Sequence, residues 1–214
     1  MDLRADEAGE MGERLNRVLA ELGQEPLAAE LAGKFGSYCA LLLRWNARTN
    51  LTAVRDEDGI LRRHMAESIA CARSLPAGIR TLLDLGSGAG FPGLPIALCR
   101  GEIAVTLAES QNKKAAFLRE AVRALGVPVR VHAGRGELLR ERFDCVTLRA
   151  VDRMADAVGV AAGLVGGEGW LAVMTTAGAQ EEVRAAAGAG FAWGEPVLLA
   201  GGTDRVLLLG WREG

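Results

Sequence analysis

The stretch Thr81-Leu82-Leu83-Asp84-Leu85-Gly86-Ser87-Gly88-Ala89-Gly90-Phe91-Pro92-Gly93 predicts a buried strand, a glycine-rich turn and the start of a helix. Residues 81–85 form a short apolar run, typical of a parallel strand covered on both faces. Glycine lets the turn bend tightly and approach a ligand closely, because no Cβ intrudes. Pro92 and Pro95 suit the first turn of a helix, where amide hydrogens have no partner within the helix. The stretch therefore predicts a crevice with free backbone N–H groups, suited to a nucleotide-like ligand.

The spacing of the glycines distinguishes two kinds of nucleotide cofactor. A dinucleotide fingerprint requires G-x-G-x-x-G, but Phe91 occupies the third glycine position. The pattern over residues 84–90, D-x-G-x-G-x-G, resembles instead the first motif of class I S-adenosylmethionine-dependent methyltransferases. The next predicted strand ends at Glu109, about 20 residues after the turn, where a carboxylate can accept hydrogen bonds from both hydroxyls of a ribose. The alternative is a turn that binds nothing, with Glu109 merely solvated.

The composition is that of a globular protein with no strong charge bias. The chain has 214 residues, of which 50% are hydrophobic, and a formal net charge of −2. This length suits one compact domain with an appendage, or two small domains. The small net charge excludes a general polyanion binder, so contact with nucleic acid requires a local basic patch.

Signals of export, membrane insertion and metal binding are missing from the sequence. The first residues lack a basic segment followed by an apolar one, and no apolar run approaches the ~20 residues of a membrane helix. The four cysteines are scattered without a C-x-x-C pair, and with only two histidines a zinc site is not expected. Reduced thiols are the favoured interpretation, and we expect a cytoplasmic protein.

The rhythm of the sequence changes near Pro76-Ala77-Gly78. Residues 1–78 show helical periodicity in three segments, the third capped by Asp56 or Asp58. From residue 79 predicted strands and helices alternate, as in a parallel sheet. The predicted strands are 81–85, 103–108, 128–131, 143–148, 170–174, 193–199 and 205–211, and the last two form an antiparallel hairpin around residues 201–204. The predicted domains are a helical extension, 1–78, and an α/β domain, 79–214.

Five motifs, in this order, resemble those of one known family. They are Trp45-Asn46-x-x-x-Asn50-Leu51-Thr52, Arg63-His64-x-x-Glu67-Ser68, the glycine turn of residues 85–93, Glu109-Ser110-x-x-Lys113-Lys114-x-x-Phe117-Leu118, and Thr147-Leu148-Arg149-Ala150. The family is the bacterial small-subunit (16S) ribosomal RNA guanine-N7 methyltransferase, also called glucose-inhibited division protein B. The likeness extends from about Leu15 to Arg205, which is nearly the whole chain.

This resemblance implies a fold, a cofactor, a partner and a set of site residues. The implied fold is the Rossmann-like class I methyltransferase fold, a seven-stranded, mostly parallel sheet with a C-terminal antiparallel hairpin, here preceded by the helical extension. The implied cofactor is S-adenosylmethionine, and the implied partner is small-subunit ribosomal RNA or the assembled small subunit, bound by a monomer without metal or membrane. The implied cofactor-binding residues are Asp84, Gly86, Ser87, Gly88, Gly90, Phe91, Glu109, Gly136, Glu137 and Arg149, and the implied catalytic residues are Arg149 and His64.

Three of these residues have two interpretations on physical grounds. Arg149 follows a predicted buried strand, at the strand end where open α/β sheets bind ligands, but a surface ion pair is the alternative. His64 lies near the apolar face of its helix, so it is either a hydrogen-bonded structural histidine or a residue that faces the substrate. Glu137 either flanks the adenine or is an ordinary loop carboxylate.

Basic residues cluster in two places that could contact RNA phosphates. One group is Arg44, Arg48, Arg55, Arg62 and Arg63, and the other is Lys113, Lys114, Arg119 and Arg123. Each group is also compatible with a solvated helix face. The family resemblance further implies a lysine shortly after the fifth strand, where this chain has Met174-Thr175-Thr176, which reduces the substrate affinity that we expect.

The leading functional hypothesis is methyl transfer to the N7 atom of a guanine. This nitrogen already carries an in-plane lone pair, so we expect positioning of donor and acceptor without an essential general base. The alternatives are a methyltransferase acting on a small molecule or a protein, and a catalytically silent RNA-binding protein that keeps the cofactor fold. A nicotinamide dehydrogenase is the least favoured, because of Phe91.

Overall fold

The computed structural model describes residues 3–151, 153–199 and 204–213. Its helices are α1 (Leu3–Glu21), α2 (Ala29–Thr49), α3 (Glu57–Gly59), α4 (Glu67–Ser74), α5 (Gly93–Cys99), α6 (Asn112–Leu125), α7 (Met154–Leu164) and α8 (Gln180–Ala187). A π-helical segment, Ile60–Ala66, joins α3 directly to α4, and short 3-10 turns cover Gly136–Leu138 and Ala177–Ala179. The strands are β1 (Thr81–Leu85), β2 (Ala104–Glu109), β3 (Arg130–Ala133), β4 (Phe143–Arg149), β5 (Val165–Thr176), β6 (Phe191–Trp193), β7 (Val197–Leu198) and β8 (Arg205–Arg212).

The helical extension forms where the apolar periodicity predicts it. Leu15 and Leu19 of α1 are fully buried, and this helix ends just before Gly23, whose φ of +69° is readily adopted only by glycine. Of the two candidate caps for the third helical segment, the structure selects Asp56. Its side chain accepts a hydrogen bond from the amide of Gly59 at 2.7 Å.

The strands form one sheet in the order β3-β2-β1-β4-β5-β8-β6, with β7 also paired to β8. The strands from β3 to β5 are parallel, whereas β8 runs antiparallel to β5, β6 and β7. This confirms the mostly parallel sheet with antiparallel pairing at its C-terminal end. The strand predicted over 193–199 is divided into β6 and β7, so the described residues form eight strands rather than seven. Residues 201–203 of the hairpin turn predicted around 201–204 lie outside the described residues.

Most strand boundaries differ from the predicted ones by one or two positions, and the start of β5 differs by five. β3 begins two positions later than expected, β4 continues to Arg149, and β5 starts at Val165. β5 could not be bounded from its sequence because the Gly-rich run 166–169 is atypical of strands. The run nevertheless belongs to β5, which pairs with β4 on both sides of it, at Val165 with Phe143 and at Trp170 with Cys145; the register shifts in between, where Glu168 has a φ of +56°.

Both faces of the sheet are covered, as a parallel sheet requires. Successive residues of β1 point to opposite faces, so Leu82 joins a core that includes Phe35 of α2 and Phe117 of α6, whereas Leu83 packs in a second core with Val158 of α7. The first core joins the helical extension to the sheet. The domain division at residue 78 stays a prediction.

The cysteines and the lengths of the helices agree with the composition of the chain. The four cysteines are free, with Cys39, Cys71 and Cys145 buried. Within the described ranges, no helix combines the length and the apolar character needed to cross a membrane.

Candidate active site

The glycine turn lies at the carboxyl end of β1, which is flanked by β2 on one side and β4 on the other. Gly86 and Gly88 have φ angles of +71° and +56°, in the left-handed region that favours glycine. The amides of Gly86 and Ser87 both donate to the carbonyl of Ala108 at 3.0 Å, which fixes the turn to the end of β2. A Cβ on Gly86 would lie 2.6 Å from Val151, so this position requires glycine both for its conformation and for its space.

Glu109 lies where the sequence predicts it, at the end of β2 beside the turn. Its Oε2 accepts a hydrogen bond from the amide of Gly88 at 2.9 Å, and its Oε1 accepts one from the amide of Gln111 at 2.7 Å. Each carboxylate oxygen has two lone pairs, so both can accept a further hydrogen bond from a ligand. Glu109 therefore braces the glycine turn and remains able to accept hydrogen bonds from sugar hydroxyls.

Two of the predicted cofactor-binding residues support the turn from behind. Asp84 is 1% exposed and accepts hydrogen bonds from the amide of Gly93 at 3.2 Å and the hydroxyl of Thr147 at 3.0 Å. Its burial raises the pKa of its carboxyl group to about 6. Gly90 packs so closely on Tyr38 that a Cβ there would lie 2.8 Å from the phenolic oxygen.

A cleft composed of two adjoining cavities, of about 400 and about 500 Å³, runs along the carboxyl ends of the central strands. The smaller cavity includes Gly136 and Glu137, and the larger one includes the glycine turn and Glu109. Except for Asp84 and Gly90, every predicted site residue lines one of the two cavities. We call the part formed by residues 86–88, Glu109 and residues 136–137 the turn side of the cleft.

The opposite part of the cleft, which we call the arginine side, is formed by Arg63, His64, Arg149 and Arg205. His64 lies on the π-helical segment, stacks on the ring of Phe91 at a centroid distance of 4.9 Å, and has its Nε2 2.7 Å from the Oγ1 of Thr52. Burial, together with the nearby charges of Arg149 and Arg63, lowers the pKa of His64 to about 3. His64 is therefore neutral at physiological pH. It is a hydrogen-bonded, stacked residue that also lines the cleft, so the two interpretations of its sequence context are compatible.

Arg149 takes part in a buried ion pair rather than in a surface one. Its Nη2 lies 2.8 Å from the Oε2 of Glu67, and its Nη1 donates to the hydroxyl of Ser68 at 3.3 Å. The same Glu67 oxygen also contacts an Nη2 of Arg205 at 3.3 Å. Burial lowers the pKa of Arg149 to about 10, which still leaves the guanidinium charged at neutral pH. Arg149 also donates a hydrogen bond to the carbonyl of Arg63, so α4 holds the end of β4 through an ion pair and a hydrogen bond, and the π-helical segment through a second hydrogen bond.

Glu67 and Arg205 were not predicted to have a functional role. A signal for Glu67 was present, because it follows Arg63 and His64 at helical spacing and therefore lies near them. Arg205 could not be placed in the same way, since its position depends on the pairing of β8 with β5, where it lies opposite Thr176. Arg205 supplies a cation near the segment in which the family resemblance implies a lysine.

Some residues of the two basic clusters form ion pairs on the protein, whereas others line the cleft. Arg62 pairs with Asp58 at 2.9 Å and also with Glu21, whereas the neighbouring Arg63 is exposed and lines the cleft. Lys114 lines the cleft as well. In the part of the chain that the structure describes, no three His, Cys, Asp or Glu side chains are grouped so that they could hold a metal ion.

Solved structures of other proteins share this fold. A methyltransferase from Pyrococcus furiosus superimposes with a TM-score of 0.61 at 14% identity, covering 82% of this chain and 98% of that one. A predicted O-methyltransferase from Agrobacterium tumefaciens gives 0.58 at 21% identity, covering 70% and 82%. TYW2 from M. jannaschii, solved in complex with AdoMet (S-adenosylmethionine), gives 0.56 at 15% identity, covering 69% and 74%. The fold is therefore that of the methyltransferases, as the resemblance implied.

Sequence relatives are more specific than these structural neighbours. Ribosomal RNA small subunit methyltransferase G of Xanthomonas euvesicatoria is 42% identical over 177 residues, covering 81% of this chain and 82% of the relative. The protein of the same name from Neisseria meningitidis is 38% identical over 176 residues, covering 81% and 84%. The one from Roseiflexus is 46% identical over 129 residues, covering 57% and 55%. The family model GidB, described as rRNA small subunit methyltransferase G, matches residues 32–193, and this chain belongs to that family.

Proposed function

We propose that this chain transfers a methyl group from S-adenosylmethionine to the N7 atom of a guanine in small-subunit ribosomal RNA. The observation that carries the proposal is a single cleft that joins a glycine turn and Glu109 to His64, Arg149 and Arg205, in a member of this family. The relatives' printed name supports small-subunit ribosomal RNA as the substrate. We expect the protein to act in the cytoplasm, as a monomer, on free RNA or on the assembled subunit.

The turn side of the cleft fits the cofactor. Left-handed glycines keep the floor of the turn free of side chains, and a Cβ on Gly86 or Gly136 would collide with Val151 or Leu85. Glu109 would accept hydrogen bonds from the ribose, while Gly136 and Glu137 would flank the adenine. When bound there, S-adenosylmethionine supplies a methyl group on a positively charged sulfur.

The arginine side supports N7 rather than an amino or hydroxyl group as the acceptor. Methylation of an amino or hydroxyl group requires removal of a proton, whereas guanine N7 offers a lone pair directly. The pKa of about 3 makes His64 a poor general base at neutral pH, and the guanidinium groups beside it are poor bases as well. These residues are suited to orienting a nucleotide and excluding water. Positioning of that kind can supply roughly 7–11 kcal/mol of the reduction in the barrier.

The test is mass spectrometry of nucleosides from 16S ribosomal RNA of cells with and without the gene. We expect a 7-methylguanosine that disappears with the gene and returns when the gene is restored. The purified protein is then incubated with labelled S-adenosylmethionine and either deproteinised RNA or the isolated subunit, which identifies the substrate. Unchanged 7-methylguanosine in the deletion strain, or a label on another atom of guanine, would contradict the proposal.

A further inference from the structure

The arginine side of the cleft holds more positive charge than nearby carboxylates balance. Among the described residues that line the larger cavity, Arg63, Lys114, Arg149 and Arg205 are cationic and Glu109 is the one carboxylate. A second carboxylate, Glu67, lies behind Arg149 and Arg205 and is 2% exposed. His64 adds no charge at neutral pH because its pKa is lowered to about 3. The arginine side therefore has an excess of positive charge and is suited to binding an anion.

Glu67 brings two of these cations together. Its single Oε2 atom contacts Arg149 at 2.8 Å and Arg205 at 3.3 Å, although one arginine ends β4 and the other begins β8. Two guanidinium groups that contact the same oxygen atom repel each other, and the negative charge of the shared carboxylate offsets this repulsion. The side chain of Arg205 is 21% exposed, which leaves part of it open to the cleft. Its Nε is buried without an acceptor among the described residues.

We propose that Glu67 holds Arg149 and Arg205 as a binding site for one phosphate of the RNA strand that carries the target nucleotide. The inference rests on the proposed function. A planar guanidinium donates two parallel hydrogen bonds to phosphate oxygens, and two guanidinium groups sharing one carboxylate retain donors for a second anion. Binding of the phosphate backbone positions a nucleic acid without reading its sequence, which leaves recognition of the base to the remainder of the cleft.

The carboxylate of the cofactor is a competing anion with similar hydrogen-bonding chemistry. S-adenosylmethionine has one carboxylate, one ammonium and one sulfonium at neutral pH, so its binding adds net positive charge to the cleft. The excess at the arginine side is then larger, and an RNA phosphate compensates it. The two anions are separated experimentally by measuring RNA binding and cofactor binding in the same variants.

The first experiment replaces Arg205 by glutamine and uses Arg17→Gln, on the exposed face of α1, as the matched control. Affinity for 16S ribosomal RNA is measured over a range of salt concentrations, and affinity for S-adenosylhomocysteine by calorimetry. We expect the slope of log affinity against log salt to become shallower by about one unit in Arg205→Gln, as for the loss of one phosphate contact, and to stay unchanged in Arg17→Gln. A wild-type slope in Arg205→Gln would overturn the inference. A loss of S-adenosylhomocysteine affinity instead would assign the site to the cofactor's carboxylate.

The second experiment tests Glu67 as the positioning residue. Glu67→Gln is expected to raise the KM for RNA about 10-fold or more, because the guanidinium groups separate, whereas Glu67→Asp keeps the charge and restores most of the affinity. A change confined to the melting temperature, with an unaltered KM for RNA, would make Glu67 purely structural and overturn its role. If Glu67→Gln does not fold, a wild-type salt slope in Arg205→Gln overturns the inference on its own. The salt slope requires no catalysis, so it stays decisive even if the wild-type protein methylates an atom other than N7.

Discussion

The two sides of the cleft are built in different ways. The turn side consists of short chain segments whose backbone amides and glycine conformations create the site, with Glu109 bonded to amides only 21 and 2 positions away. The arginine side is assembled from side chains that are distant in sequence, since Glu67 contacts partners 82 and 138 positions away. We therefore expect changes on the turn side to abolish cofactor binding whatever the RNA. Changes on the arginine side should impair use of the RNA while cofactor binding largely persists.

The largest effect is expected for Gly86→Ala on the turn side. The new Cβ would meet Val151 at 2.6 Å, and the φ of +71° is strained for alanine. Backbone strain of about 1–2 kcal/mol and overpacking of about 1–3 kcal/mol predict a loss of S-adenosylhomocysteine affinity between about 30-fold and several thousand-fold. Calorimetric titration measures it. Gly101→Ala is the control, because a Cβ at Gly101 meets no atom within 4 Å. Wild-type affinity in Gly86→Ala would show that the turn does not hold the cofactor.

Next in size is Arg149→Ala on the arginine side. Loss of a guanidinium that orients the nucleotide should lower turnover about 100-fold, with a much smaller change in S-adenosylhomocysteine affinity. The variant also leaves buried Glu67 with Arg205 as its remaining ionic partner, and breaking a buried pair costs about 3–5 kcal/mol of stability. Turnover is therefore measured per folded molecule, below the melting temperature of the variant. Wild-type turnover in Arg149→Ala would show that Arg149 does not belong to the site. Equal losses of turnover and of S-adenosylhomocysteine affinity would assign Arg149 to the turn side.

The same contrast explains how much of the molecule the sequence predicts. The turn side was predictable residue by residue, because strand, glycine turn and Glu109 are local features with fixed spacing. Even there, local pattern did not show that Asp84 supports the turn through Gly93 and Thr147 instead of facing the cleft. On the arginine side, the sharing of Glu67 by two arginines depends on which strand lies beside β5. That pairing is a property of the tertiary fold, and no local periodicity reveals it.

An intermediate effect concerns the pH dependence of stability, for which His64 on the arginine side and Asp84 behind the glycine turn should contribute with opposite signs. Folding lowers the pKa of His64 from 6.5 to about 3, chiefly by burial, so the unfolded chain binds the proton more strongly between these values. The contribution of His64 is complete above pH 6.5 and falls by about 1.4 kcal/mol per pH unit as the pH drops below it. Burial raises the pKa of Asp84 from 3.8 to about 6, so its contribution instead improves as the pH falls through 6.

Two variants separate these opposing contributions. His64→Gln should reduce the loss of stability in acid, and Asp84→Asn should make that loss steeper between about pH 6 and pH 4. Urea unfolding of the wild-type protein and both variants at several pH values measures the slopes. Because the two expected changes have opposite signs, each variant serves as the control for the other. Parallel slopes in all three proteins would contradict both assignments.

The smallest effect is expected for single charge reversals at two neighbouring arginines. Arg63 is exposed and lines the cleft, whereas Arg62 is engaged by Asp58 and Glu21 on the outer surface. Arg63→Glu should weaken binding of 16S ribosomal RNA about 10-fold at low salt, because it places a negative charge in the path of the phosphates. Arg62→Glu should weaken it less, although both variants change the net charge equally. The difference between the two should shrink at high salt, where exposed charges are screened. Equal losses of RNA affinity in the two variants would mean that RNA binding depends on the overall charge of the helical extension. Arg63 would then make no specific contact with RNA, and the RNA-binding part of the arginine side would consist of Arg149 and Arg205.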